Sequence, residues 1–221
     1  GANLDRLVTD CVAVSNASVN FALYKGINMM FNAELDCCAW GGGEYLTLDG
    51  QSKVWSVTWL PPWAQVYDYI THEMGHGFGL PHSSGPQVNP PSGLEVYISK
   101  WDVMSDSGGT CTVGVAGLGC LPPGIIADSM SIGGWMPANR RVTVAPGMAT
   151  TVTLERLRNP LSAENPLMVK VPINGSSTTY YTVEARFRTS GQQDYDQNIP
   201  DTAVIIHHVQ VGRGGWPGPN T

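Results

Sequence analysis

The fold is organised around a histidine-rich stretch, HEMGHGFGLPH, which occupies residues 72–82. Residues four apart lie on one face of a helix, so His72 and His76 can direct their imidazoles at one metal ion, with Glu73 beside them as a base. A glycine three residues after the second histidine can take the positive φ that ends the helix, and the chain then turns back to bring in His82. Three protein nitrogens leave a fourth position open, which is typical of a catalytic rather than a structural zinc site.

The pattern H-E-x-x-H-x-x-G-x-x-H resembles the extended zinc motif of the metzincin endopeptidases. Metzincins also carry a methionine-containing turn beneath the metal, downstream of the third histidine. The segment Trp101-Asp102-Val103-Met104-Ser105 occupies the corresponding place, and Met104 is the candidate methionine. The resemblance implies Glu73 as the catalytic base and one catalytic Zn²⁺ with three ligands, His72, His76 and His82.

The same resemblance implies a secreted zinc-dependent endopeptidase, in which Glu73 activates a zinc-bound water that attacks peptide bonds of proteins. Some metzincins place a tyrosine two positions after the turn methionine, but Asp106 stands there, so no tyrosine is assigned that role. Two alternatives stay open. One is a zinc-containing adhesion or binding module that has lost catalysis, against which the intact Glu73 counts. The other is a thermolysin-like peptidase with Glu95 as third ligand, against which the spacing of His82 argues.

A second resemblance concerns the region after the metal motif. The segments Gly134-Trp135, YYTVEAR at residues 180–186 and VIIHHV at residues 204–209 resemble the corresponding region of secreted immune inhibitor A-type metallopeptidases. The same region also resembles that of the gametolysin-like metallopeptidases. This resemblance implies that a β-rich region follows the catalytic domain.

Composition favours a compact, mildly acidic protein, and the metzincin resemblance implies a protein or peptide substrate as its partner. Net charge is -6 and only 14% of the residues are charged, so there is no basic run to neutralise phosphates of nucleic acid. No apolar stretch is long enough to span a bilayer, which predicts no membrane partner. We expect a monomer. The sequence begins at Gly1 without an initiator methionine or a signal-like segment, so we also expect a mature form from which targeting segments and a propeptide have been cut. Two N-x-S sequons, at Asn16 and Asn174, fit a secreted glycoprotein.

The five cysteines predict disulfides of an oxidising compartment. Cys111 and Cys120 bracket a glycine-rich loop that a local disulfide could close. Cys11 could pair with Cys37 or Cys38. Adjacent cysteines rarely bridge each other, so one of those two is expected to be left over.

The pattern of elements predicts an α+β fold with two domains. Residues 1–136 are expected to form a metzincin-like catalytic domain with a twisted mixed sheet, an active-site helix, the Met-turn and a C-terminal helix. We predict a loop at Gly41–Gly43 and a helix that begins at Trp63 or Ala64 after two prolines. By resemblance, the strand before that helix lies near the sheet edge that pairs with substrate. The other predicted elements of this domain are a helix over residues 1–15, strands over 19–31, 44–48 and 54–60, and a helix over 124–132.

Residues 137–221 are expected to form an antiparallel, β-sandwich-like region. Turn signals divide its predicted strands, which cover residues 141–145, 150–157, 167–173, 180–187 and 202–211. His207 and His208 are adjacent, so they should face opposite sides of a strand rather than one metal. Calcium is a possible additional ion but is unsupported, because Asp194, Asp196 and Asp201 do not have the spacing of a calcium loop.

Overall fold

The computed structural model describes residues 1–83, 97–105, 114–189 and 194–211. The protein is a mixed α+β fold with few helices and several sheets, which confirms the predicted class. No helix in these ranges is long and apolar enough to cross a membrane. The helices are α1 (Leu4–Ser15), α2 (Tyr67–Gly77) and α3 (Ala127–Ile132). The strands are β1 (Gly26–Met30), β2 (Trp40–Leu48), β3 (Gln51–Leu60), β4 (Gly114–Val115), β5 (Gly119–Cys120), β6 (Arg141–Thr143), β7 (Met168–Pro172), β8 (Thr179–Arg186) and β9 (Ala203–Gln210).

Contacts within the chain divide it into two compact units. The first contains Gly1–Pro81 and Gly114–Cys120, and the second contains the other described residues. The sequence-predicted boundary between residues 136 and 137 lies inside the second unit. The division into a catalytic domain of residues 1–136 and a β-rich region of residues 137–221 stays a prediction.

The first unit is built on a three-stranded sheet in the order β1-β3-β2. Strand β1 runs parallel to β3, and β2 pairs antiparallel with it. The β2–β3 turn has positive φ at Asp49 (47°) and Gly50 (74°), as the Asp-Gly pair predicts. Alternate residues of β3 are buried with Val8 and Val12 of α1 in one core cluster, and these are Trp55, Val57 and Trp59. Asn3 caps α1 by accepting a hydrogen bond from Arg6 N.

Several details of this unit differ from the sequence-based expectation. The strand predicted over residues 19–31 is limited to β1, because Phe21–Leu23 forms a 3₁₀ turn. Strand β3 lies in the centre of the sheet, so the prediction that it borders the sheet edge is wrong. The three glycines predicted as a loop belong to β2. Glycine is required at position 41, because a Cβ there would overlap the backbone of Glu73. A short 3₁₀ turn, Pro62–Ala64, comes before α2, so the helix that carries His72 and His76 begins at Tyr67 and not at Trp63 or Ala64.

The cysteine prediction is corrected as well. Cys37 and Cys38 form a disulfide with each other, and Cys11 is free. The Asp36 carboxylate accepts hydrogen bonds from Cys38 N and from Trp40 Nε1, both of 3.3 Å. These bonds organise the tight turn that contains the two adjacent cysteines. Cys120 is disulfide-bonded as expected, whereas its predicted partner Cys111 lies outside the described residues.

The second unit contains a four-stranded sheet in the order β6-β7-β8-β9. The pair β6–β7 is parallel, which corrects the expectation of a purely antiparallel layer, while the other two pairs are antiparallel. Residues 150–157 form no strand and contribute a single bridge between Arg156 and Ala185. In the described part of this unit the strands build one sheet, not a sandwich. His207 is half-buried opposite Thr182, and His208 is exposed, which confirms that they face opposite sides.

Candidate metal centre

Helix α2 and the turn that follows it position the histidines. The helix ends at Gly77, and Gly79 takes a φ of 83°, as predicted from the motif. Leu80 N donates a hydrogen bond of 3.0 Å to Gly75 O, which closes the helix end. Gly77 is needed in the last turn, because a Cβ at this position would overlap the Ser56 side chain on β3. The helix therefore ends one residue after His76, and Gly79 lets the chain leave the helix direction before His82.

The imidazoles of two histidines on α2 and of one histidine after the turn lie close together. His72, His76 and His82 each offer a ligand nitrogen, and these nitrogens lie within 4.8 Å of one another, so the group could hold a metal ion. His76 Nδ1 lies 2.9 Å from the carbonyl oxygen of Leu80. Since a carbonyl can only accept, Nδ1 carries the proton and Nε2 presents its lone pair. His72 Nε2 lies 3.2 Å from this nitrogen.

The electrostatic environment suits a metal ligand. Burial lowers the pKa of His76, and the hydrogen bond to Leu80 O opposes that shift only in part. His76 is therefore neutral near pH 7, which is the form that coordinates a cation. A set of three imidazole nitrogens fits Zn²⁺, and it also fits other divalent transition metals.

Glu73 lies on the same helix and is 8% exposed. Burial raises the pKa of Glu73 to about 7. A carboxylate with a pKa near the working pH is suited to accept and return a proton. The charge of a bound cation would lower this pKa again and favour the ionised form. The Glu73 backbone packs on β2 at Gly41, so the sheet fixes the position of this residue.

The candidate Met-turn lies in the second unit. Met104 is completely buried, and Ser105 N donates to Asp102 O at 3.0 Å to form the turn. The Met104 carbonyl accepts a 3.2 Å hydrogen bond from Ser83 N, so the turn is joined to the residue that follows His82. His82 also makes an edge-to-face contact with Tyr97, with ring centroids 5.2 Å apart.

The remaining candidates are not brought to this site. Glu95 and Asp106 lie outside the described residues. Asp194 lies 3.6 Å from Arg158, and Asp196 pairs with Arg186, so these two carboxylates neutralise arginines instead of lining a calcium loop. Among the described residues, the three histidines are the group found that could hold a metal.

Sequence reasoning missed the buried charges that surround the Met-turn. Asp102 and Arg186 are at most 1% exposed. The available signal was the strand sequence TYYTVEAR, in which Glu184 and Arg186 share a face with the buried residues Tyr180 and Thr182. Charged residues on the inward face of a strand indicate a buried ion pair. Comparisons of the chain with protein-family models, with curated proteins and with solved structures found no match.

Proposed function

We propose that this chain is a zinc-dependent endopeptidase of the metzincin kind. The observation that carries the proposal is the convergence of His72, His76 and His82 within 4.8 Å, with Glu73 buried on the same helix. The H-E-x-x-H spacing puts this carboxyl next to the first ligand, as catalysis requires. A zinc site without a catalytic role has no need of a buried base. For this reason we favour a peptidase over an adhesion or binding module.

In this proposal each residue of the site has a distinct role in the reaction. When bound, the cation supplies Lewis-acid chemistry that acidifies water and polarises a carbonyl group. Glu73 accepts a proton from the attacking water and passes it to the leaving amine. Leu80 O holds the protonated Nδ1 of His76, which keeps Nε2 free as a ligand atom.

Substrate pairing is assigned to β2 and not to β3, because β3 already has strands on both sides. Strand β2 borders the sheet and packs at Gly41 against the backbone of the proposed base. An extended peptide added along an edge strand gains main-chain hydrogen bonds. This arrangement would place a substrate backbone beside the residue that transfers the proton.

Secretion belongs to the same proposal. Asn16 and Asn174 of the two sequons are exposed, so both are accessible to glycosylation. The Cys37–Cys38 disulfide and the disulfide-bonded Cys120 are compatible with an oxidising compartment.

The proposal is tested by casein hydrolysis before and after metal removal. A zinc chelator should abolish hydrolysis, and added Zn²⁺ should restore it. A serine or cysteine protease inhibitor, used as a control, should have no effect. A chain that binds zinc but cleaves no member of a diverse peptide library would instead be a binding module.

A further inference from the structure

The second unit contains a buried arginine whose donors are all used. Arg186 is 1% exposed on β8. Its Nε and Nη2 donate to the two carboxylate oxygens of Asp196, at 2.9 and 2.5 Å, and its Nη1 donates to Glu184 Oε1 at 3.0 Å. The other two N–H groups donate to backbone carbonyls, those of Trp101 at 2.6 Å and Gly124 at 3.1 Å. A guanidinium has five N–H groups, so each has an acceptor.

The two carbonyl contacts are the informative ones. Trp101 is the first residue of the candidate Met-turn, and Gly124 precedes α3. Neither carbonyl contributes to neutralising the charge of Arg186, which two carboxylates already balance. A planar guanidinium can satisfy a carboxylate and a carbonyl in fixed directions at once. The geometry therefore fixes the start of the turn relative to strand β8.

The turn is held at a second point by Asp102. This residue is fully buried, and its Oδ1 accepts a hydrogen bond of 3.3 Å from Ile126 N. Glu184 Oε2 accepts one of 2.6 Å from Ala127 N, the first residue of α3. Glu184, which helps to balance the charge of Arg186, therefore also holds the start of α3. The Met-turn is hydrogen-bonded to the residue just before that helix.

From the turn the contacts continue to the third histidine. Met104 O accepts the hydrogen bond from Ser83 N, and Ser83 follows His82 directly. All residues in this series belong to the second unit. We propose that Arg186 is a positioning residue for the metal centre, which acts by holding the Trp101–Ser105 turn and through it His82. This inference rests on the metal site of the proposed function, and it assigns to the C-terminal sheet a role in metal binding.

The test compares the same substitution at two buried arginines. Arg186→Lys keeps the positive charge near Asp196 and Glu184, but one ammonium cannot reach all five acceptors. Arg140→Lys is the matched control, because Arg140 is 7% exposed in the same unit and donates to Asn165 O and Ser162 O. Outer-shell substitutions weaken metal binding about 10- to 100-fold. We expect Arg186→Lys to weaken zinc about tenfold, in competition with a chelator, and Arg140→Lys to change it by less than about twofold.

A double-mutant cycle separates positioning from a general loss of stability. If Arg186 acts through His82, Arg186→Lys should have no further effect on zinc affinity in a His82→Ala background. The Co²⁺ absorption spectrum of Arg186→Lys should move toward that of His82→Ala, whereas that of Arg140→Lys should match the wild type. If Arg186→Lys does not fold, Asp196→Asn replaces it, with a smaller loss of zinc affinity in the same direction.

Three outcomes overturn the inference. The first is wild-type zinc affinity in folded Arg186→Lys, or in Asp196→Asn where that variant replaces it. The second is an equal loss of zinc affinity in Arg186→Lys and Arg140→Lys. The third is that the losses of zinc affinity in Arg186→Lys and His82→Ala are fully additive. A wild-type chain that binds no zinc would instead refute the proposed metal site itself, so the two failures are distinguishable.

Discussion

Two buried glutamates show how differently the two units use a carboxylate. Glu73 in the first unit is raised in pKa by burial, and within the described residues no ion pair involves it. Glu184 in the second unit is even less accessible, at 0% exposed, yet its pKa is lowered. Burial alone would raise that pKa, but His207 and Arg186 reverse the effect. The comparison separates a carboxyl available for proton transfer from one that fixes structure.

The largest expected effect comes from exchanging each glutamate for glutamine. Glu184→Gln should destabilise the protein by about 3 kcal/mol, because the fully buried Arg186 loses one of its two anionic partners. Glu73→Gln should change the stability of the metal-free protein by less than about 1 kcal/mol, since no cation loses its partner. Urea unfolding of both variants checks this. Equal losses would erase the distinction between the two sites.

Replacement of His82, the proposed third ligand, should have the next largest effect. His82→Ala should weaken zinc by about 100-fold or more, because loss of a ligand costs more than loss of an outer-shell partner. The variant should fold, as His82 is half-buried and lies outside the helices, the strands and the core clusters. The dissociation constant for zinc, measured against a chelator, checks the prediction. His208→Ala, an exposed histidine on β9, is the control and should bind zinc as the wild type does.

The packing of Glu73 on the sheet can be tested at two neighbouring glycines. Gly41→Ala should cost about 1–3 kcal/mol, because its Cβ would overlap the backbone of Glu73. Gly42→Ala should be close to neutral, since nothing lies within 4 Å of a Cβ there. Thermal unfolding measures both. A neutral Gly41→Ala would show that β2 does not hold the proposed base.

Acid should reveal the smallest effect. The pKa of Glu184 is lowered from its ordinary value of 4.5, so the folded state binds its proton less tightly than the unfolded state does. Its stabilisation is therefore complete above pH 4.5 and is lost as the pH falls through the lower folded pKa. The stability difference between wild type and Glu184→Gln should shrink in that window. If the stability difference between the two proteins stays constant in acid, the ionised Glu184 carboxylate does not stabilise the fold.

The sequence predicted the local features of the site well, because spacing along one helix determines them. His72 and His76 are four apart, and Gly79 adopts the positive φ expected of it. Features set by distant residues were not accessible in this way. The central place of β3 depends on pairing with both β1 and β2, and Gly41 of β2 is explained by the backbone of Glu73.

The same limit applies to the second unit. Its β-rich character follows from alternating residues, but the parallel pairing of β6 with β7 does not. Arg186 contacts residues 62 and 85 positions away in the chain, at Gly124 and Trp101. Only a charge on the inward face of β8 pointed to such a network. The general rule that adjacent cysteines rarely bridge each other argued against the Cys37–Cys38 disulfide, which forms where Asp36 accepts a hydrogen bond from Cys38 N.

The central claim is that three histidines hold one metal ion and that Glu73 is the base beside it. The most direct measurement is zinc content together with casein hydrolysis, for wild type and Glu73→Gln prepared alike. We predict one zinc per chain in both proteins, with hydrolysis reduced about 10²- to 10⁴-fold in the variant. Equal hydrolysis by the two proteins, or loss of zinc from both, would contradict the account.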